Sequence, residues 1–147
     1  MYYDRSMAST EQLRAETGRL SRLLVYSADD TKAHFASAIQ SLGLSVPAAR
    51  ALLQIVTPIP MRELAGNLAY DPSYLTGLAD ELEQAGLLVR VAGTDRRVKL
   101  LQLTEAGEEM RTNIGKAVGV GEPLSERLDA ADRAELLRIL EKLRGDY

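Results

Sequence analysis

Between Thr10 and about Leu42 the chain has no proline, and Leu13, Leu20, Leu23, Leu24, Phe35, Ile39 and Leu42 recur at intervals that are mostly three, four or seven. That spacing is the signature of an amphipathic helix. A helical pattern of about 30 residues is longer than a small domain needs, which implies packing against something outside the monomer core. Gly18 and the Asp29-Asp30-Thr31 cluster are the points where it would kink or break. After a stop at Gly43-Leu44-Ser45, a second helix is predicted with Ser45 as N-cap, Pro47 in its first turn, and Leu52, Leu53, Ile55 and Val56 on its buried side. Thr57-Pro58-Ile59-Pro60 ends it.

Met61 to Ala69 reads as a short helix, and Asp71 opens another whose Leu75, Leu78 and Leu82 form one apolar face. Asp71 can accept from the free amides of the first turn, Pro72 needs no N–H at N1, and Gly86 is a stop. A short helix, a tight turn and a capped helix make a helix-turn-helix. Leu87-Leu88-Val89-Arg90-Val91 and Val98-Lys99-Leu100-Leu101-Gln102-Leu103 are β-rich runs around the charged tip Ala92-Gly93-Thr94-Asp95-Arg96-Arg97, a two-stranded hairpin. Thr104 caps a helix towards Val118, and beyond the Gly119–Pro123 break a final helix carries Leu128, Leu136, Leu137, Leu140 and Leu143. The fold class is therefore mostly α with a small β-hairpin wing (α+β). The expected architecture is a winged helix-turn-helix flanked by N- and C-terminal helices, read as dimerisation helices. We expect one domain over 1–147, with 10–42 and 122–145 as dimerisation helices and 45–103 as the DNA-binding region. The two terminal helices either dock on a second copy, the economical answer for a leucine stripe at a chain end, or pack on their own monomer.

Composition narrows the function. With 147 residues, 46% hydrophobic, 27% charged and a formal charge of −3, the chain reads as a globular domain that needs no disulfide or metal staples. It has no cysteine, which excludes thiol nucleophiles, thiol redox switches and cysteine-based zinc sites. The single His34 would have to carry any Ser/His/Asp or multi-histidine metal chemistry alone. No cofactor and no enzymatic activity are expected. No stretch approaches 18 apolar residues and the opening Met1-Tyr2-Tyr3-Asp4-Arg5-Ser6 is polar, so the expectation is a cytoplasmic protein with no membrane partner, its start at Met1 or Met7.

Charge placement carries more than net charge. Between Leu87 and Leu101 lie Arg90, Arg96, Arg97 and Lys99 against Asp95 alone, a local +3 in an acidic chain. Adjacent arginines at a hairpin tip can donate to phosphates or enter a narrow minor groove, whereas the bland reading is a solvated turn in which Asp95 pairs with Arg97. The second helix of the helix-turn-helix has no Lys or Arg and carries Asp71, Asp80, Glu81 and Glu83, so only its N-terminal turns suit base reading. There Ser73, Tyr74, Thr76 and Gly77 offer hydroxyls, a methyl and room for close approach. The alternatives are capping and local backbone bonding for Ser73 and Thr76, and a ring packed under the wing for Tyr74. Arg62 and Asn67 can add phosphate contacts.

Met61-Arg62-Glu63-Leu64-Ala65, Asp71 through Leu78, Leu82 through Leu88, Asp95-Arg96-Arg97 and Leu103-Thr104-Glu105-Ala106-Gly107 together resemble the MarR family, the multiple antibiotic resistance regulators. The specific part is the Asp-x-Arg wing followed by Leu-Thr-x-x-Gly. The resemblance implies a homodimer held by its terminal helices, a pseudo-palindromic double-stranded operator and a small-molecule effector between the two regions. It further implies that Asp95 holds the wing arginines, Arg97 enters the minor groove, Arg96 sits at phosphate, and Ser73, Tyr74 and Thr76 face the major groove. This chain departs at Pro60, where a Ser or Thr N-cap is usual, at Glu81, where a basic residue is common, and in a wing about one residue short. Tyr26, His34, Phe35 and Arg50 are the candidates for an effector pocket suited to a phenolic or aromatic acid; the alternatives are core for Phe35, dimer-interface packing for Tyr26 and a surface or satisfied residue for His34. The leading expectation is a ligand-released repressor. The alternative is a winged-helix protein-interaction module without specific DNA binding.

Overall fold

The computed structural model describes residues 4–95 and 97–145. It comprises two compact units, one ending at His34 and one beginning at Phe35. The first consists of helix α1 (Asp4–Gln40), whose last turns belong to the second unit. This helix starts before Thr10, stops short of Leu42 and passes unbroken through Gly18 and Asp29-Asp30-Thr31. The hydroxyls of Thr17 and Thr31 donate to the carbonyls of Leu13 and Ser27, one turn back, at 2.8 Å each. Bonded in this way to the turn before, each hydroxyl is satisfied inside a continuous helix. None of residues 9–34 is buried.

The second unit is a winged helix. Helix α2 (Val46–Gln54) starts on Ser45, whose side chain accepts from the Ala48 amide. It ends at Gln54, two residues before the expected apolar face does: Ile55 is its buried C-cap, whereas Val56 lies beyond it and is exposed. Ile59–Pro60 (β1) is more than a helix terminator. It pairs antiparallel with Leu100–Leu101, so the sheet has three strands in the order β1-β3-β2, with β2 at Leu88–Ala92 and β3 at Lys99–Leu103. Two residues ending in proline carry too little pattern to read as a strand; only the docking of β3 reveals the pairing.

Helices α3 (Met61–Leu68) and α4 (Pro72–Gln84) form the helix-turn-helix. Pro60 caps α3 without a side-chain bond, and the turn is closed by Ala69 in the left-handed region, φ 54°. Helix α4 ends as the sequence indicates, with Gly86 at φ 73° and the Leu87 amide donating to Leu82 O at 2.9 Å. Leu64, Leu68, Leu75, Leu78, Leu82, Leu88 and Leu101 meet Ile39, Leu52 and Ile114 in one core. Helix α5 (Glu105–Gly119) begins at Thr104, whose hydroxyl donates to Gly86 O at 2.6 Å and accepts from Gly107 N at 3.1 Å. Gly107 is required by contact: a Cβ there would lie 1.9 Å from the Leu87 carbonyl oxygen.

The expected single C-terminal helix is two, α6 (Pro123–Arg127) and α7 (Ala130–Arg144). Leu128 is the C-cap of the first, and Asp129 with Asp132 forms a capping box that starts the second. An acidic N-cap so placed restarts a helix locally, which a leucine count passes over. Helix α7 has no buried residue; Leu137 and Leu143 are exposed.

Candidate nucleic-acid interface

The N-terminal turns of α4 are held by Asp71. Its carboxylate accepts from the Ser73 amide at 2.8 Å and from the Ser73 hydroxyl. The Ser73 hydroxyl, and then the amides of Ser73 and Tyr74, lower the Asp71 pKa from its ordinary value. The Thr76 hydroxyl donates to Pro72 O at 2.9 Å. Both hydroxyl hydrogens are thus committed to the helix itself, which leaves Ser73 and Thr76 to present oxygen lone pairs and a methyl. Gly77 has nothing within 4 Å of where a Cβ would stand, so the fold does not demand glycine there. Tyr74 is 50% exposed, and its ring lies edge-on to Tyr70 with centroids 5.5 Å apart and an interplanar angle of 88°. A shallow depression of about 380 Å³ runs from Ser45 and Pro47 of the α2 start to Tyr74, Gly77 and Glu81.

In the wing, Asp95 accepts from the Arg97 backbone amide at 3.0 Å, and Val98 N donates to Asp95 O at 2.9 Å. The carboxylate therefore shapes the turn rather than drawing in the Arg97 guanidinium. Arg97 and Lys99 are exposed, while Arg96 lies outside the described residues. Arg62 and Asn67 are exposed on α3.

Arg90 is not part of the cationic tip. From β2 its guanidinium reaches Asp80 at 2.6 Å and also pairs with Glu83, both on α4. The hydrogen bond to Asp80 is the main cause of an Arg90 pKa above the usual arginine value. Each such half-exposed pair contributes about 0.2–1 kcal/mol. More important here, the pairs neutralise carboxylates that would repel a phosphate backbone. The signal for this was present, since Asp80 and Glu83 stand one helical turn apart and share a face, but nothing local names their partner. Glu81 forms no ion pair among the described residues.

The effector candidates divide between the units. Tyr26 is 63% exposed and His34 half-buried in the first unit; in the second, Phe35 packs against the core and Arg50 is exposed. The Arg50 guanidinium lies 5.3 Å from the Tyr70 ring centroid and donates to its hydroxyl at 3.3 Å. Tyr70 carried no signal in the sequence. Among the described residues no three His, Asp or Glu side chains converge as a metal site, and no helix is long and apolar enough to cross a membrane.

Fold and surface together define a winged helix-turn-helix whose second helix starts, after its Asp71 cap, with exposed uncharged residues, and whose wing carries cations. No family model matches the chain, and no curated protein does. Many of the solved structures it resembles are MarR family transcriptional regulators. A MarR family protein from Bacillus stearothermophilus superposes with a TM-score of 0.76 at 24% identity, covering 90% of this chain and 96% of that one. CouR from Rhodococcus jostii RHA1, bound to p-coumaroyl-CoA, gives 0.74 at 25% identity over 87% and 93%. The Mycobacterium tuberculosis MarR family protein Rv2887, in complex with DNA, gives 0.67 at 25% identity over 84% and 96%.

Proposed function

We propose that the protein is a homodimeric, sequence-specific double-stranded DNA-binding transcriptional regulator. In this reading it is a cytoplasmic repressor, not an enzyme, released by a small aromatic or phenolic effector. The observation that carries the proposal is the start of α4, where Ser73, Tyr74, Thr76 and Gly77 form an exposed surface with no charged side chain, in the same unit as exposed Arg97 and Lys99. A second helix of this kind enters the major groove while the wing reaches phosphate or the adjoining minor groove. With both hydroxyl hydrogens committed, Ser73 and Thr76 suit the amino groups of adenine and cytosine and the thymine methyl. Helix α4 itself has no Arg or Lys to offer a bidentate guanine contact.

The exposed leucines of α1 and α7 support the homodimer, in which two recognition helices meet major-groove faces about 10 bp apart. The DNA complex of the M. tuberculosis relative and the bound p-coumaroyl-CoA of CouR support the DNA and effector parts. Tyr26, His34 and Phe35 remain the effector candidates, whereas Arg50 is engaged by Tyr70. The protein-interaction reading drew on the acidic second half of α4, and Arg90 removes most of that argument by pairing Asp80 and Glu83.

The test is selection of duplexes from fragmented genomic DNA by wild type and by Arg96→Ala/Arg97→Ala, at low and physiological salt. The expected result is an inverted repeat enriched by wild type and lost in the variant. If wild type enriches no sequence at either salt, the protein-interaction reading takes over.

A further inference from the structure

Arg50, Tyr70 and Tyr74 form a continuous chain of side chains that links helix α2 to the turn of the helix-turn-helix and the start of α4. Arg50 stands on α2, Tyr70 follows the left-handed Ala69 in the turn, and Tyr74 is in the first turn of α4. The guanidinium sits within cation–π distance of the Tyr70 ring, at 5.3 Å, and also donates to its hydroxyl. Tyr70 is anchored from below, because its amide donates to Ala65 O at 2.9 Å and its ring packs against the core. The Tyr74 ring then meets Tyr70 edge-on at 5.5 Å. That arrangement is favoured by the ring quadrupoles and restricts the rotamers of a side chain that is otherwise half exposed. No carboxylate among the described residues pairs with Arg50, so its charge is directed at the tyrosine.

We propose that Arg50 is a positioning residue for DNA recognition: through Tyr70 it holds the Tyr74 ring in the orientation that meets a base edge. The proposal rests on the DNA-binding reading above. A ring already oriented loses less freedom on binding, so the chain converts packing energy into affinity and, more tellingly, into discrimination at the base pair Tyr74 faces. The same assignment removes Arg50 from the effector pocket. It also means that a phosphate contact by Arg50 is not what the geometry serves.

The test uses the duplex enriched by the wild-type protein and its single-base-pair variants, with wild type, Arg50→Ala, Tyr70→Phe, Tyr74→Ala and the Arg50→Ala/Tyr74→Ala double variant. Thermal melts confirm that each is folded. Arg50→Ala is expected to weaken binding roughly three- to tenfold, as the loss of one cation–π and ring-orienting contact implies. It should flatten discrimination at the same base pairs as Tyr74→Ala and add nothing in the Tyr74→Ala background. Tyr70→Phe keeps the ring and should retain the wild-type discrimination pattern. A uniform loss across all duplexes, with the salt slope reduced by about one, would make Arg50 a phosphate contact and overturn the proposal. Additive losses in the double variant would overturn it as well. A readout without DNA separates this inference from the reading beneath it: the Tyr74 ring resonances should shift in Arg50→Ala. If wild type enriches no duplex, the DNA reading fails. Unmoved Tyr74 resonances, whether or not a duplex is found, sink the positioning chain itself.

Discussion

Helices α1 and α4 carry the same kind of leucine stripe and meet opposite fates. In α4, Leu75, Leu78 and Leu82 are all buried within the chain. In α1, Leu13, Leu20, Leu23 and Leu24 are exposed, and in α7, so are Leu137 and Leu143. Periodicity specifies a helix and an apolar face but says nothing about which molecule covers that face. The winged unit has an intrachain core; the terminal helices present apolar surface of the kind that marks an interaction site. In the proposed dimer the two regions differ in how they are stabilised. One is independent of protein concentration and the other is not.

That contrast can be broken most directly at α1. Leu20→Glu with Leu23→Glu should remove about 1.5–3 kcal/mol of burial per leucine in each protomer, which over the four leucines of a dimer amounts to a weakening of roughly ten-thousandfold or more. Sedimentation over a range of concentrations reads this out. A variant that remains dimeric like wild type would show that the exposed α1 face is not the concentration-dependent region. Next in size is Gly107→Ala, which drives a methyl into the Leu87 carbonyl. It should cost about 3 kcal/mol or more in urea denaturation, by an amount that does not vary with protein concentration. If the loss disappears at high concentration, the winged unit is not self-sufficient.

Two smaller changes sharpen the picture inside the winged unit. Arg90→Ala should cost about 1 kcal/mol and weaken duplex binding further by unmasking Asp80 and Glu83. A cycle with Asp80→Asn, read by both denaturation and DNA titration, separates the two effects. Asp71→Asn should have the smallest effect, since asparagine also caps helices. Because folding lowers the Asp71 pKa below its ordinary 3.8, the charged cap contributes fully above that value and loses its contribution as pH falls through the lower folded-state value. Melting temperatures of wild type and Asp71→Asn should therefore differ near neutrality and converge in acid. A difference that persists at the lowest pH would mean the hydrogen bonds, not the charge, account for it.

Much of the fold was legible wherever the information is local. Ser45, Asp71 and Thr104 act as N-caps, Gly86 stops α4, and the runs flanking Asp95 pair as β2 and β3. The Leu103-Thr104-Glu105-Ala106-Gly107 motif was visible as a resemblance, but its cause was not. Thr104 joins the end of α4 to the start of α5, and Gly107 yields to Leu87, some twenty residues back. The candidate interface divides in the same way. The residues at the start of α4 and in the wing could be named from spacing and charge. Local bonding by the Ser73 and Thr76 hydroxyls was one of two readings the sequence left open, and the structure shows it; that Arg90 turns to α4 and that Arg50 engages Tyr70 could not be named.

By itself, the sequence determined the N-caps of α2, α4 and α5, the stop at Gly86, which face of each helix is apolar, and where positive charge gathers in the wing. These depend on side chains within a turn of one another, and a turn of chain is enough to specify them. Tertiary structure alone decided which residues meet across elements: β1 with β3, Arg90 with Asp80 and Glu83, Arg50 with Tyr70 and Tyr74. Contacts between distant segments arise only once the core has packed and brought them together. No local pattern encodes which of several cations or rings will arrive.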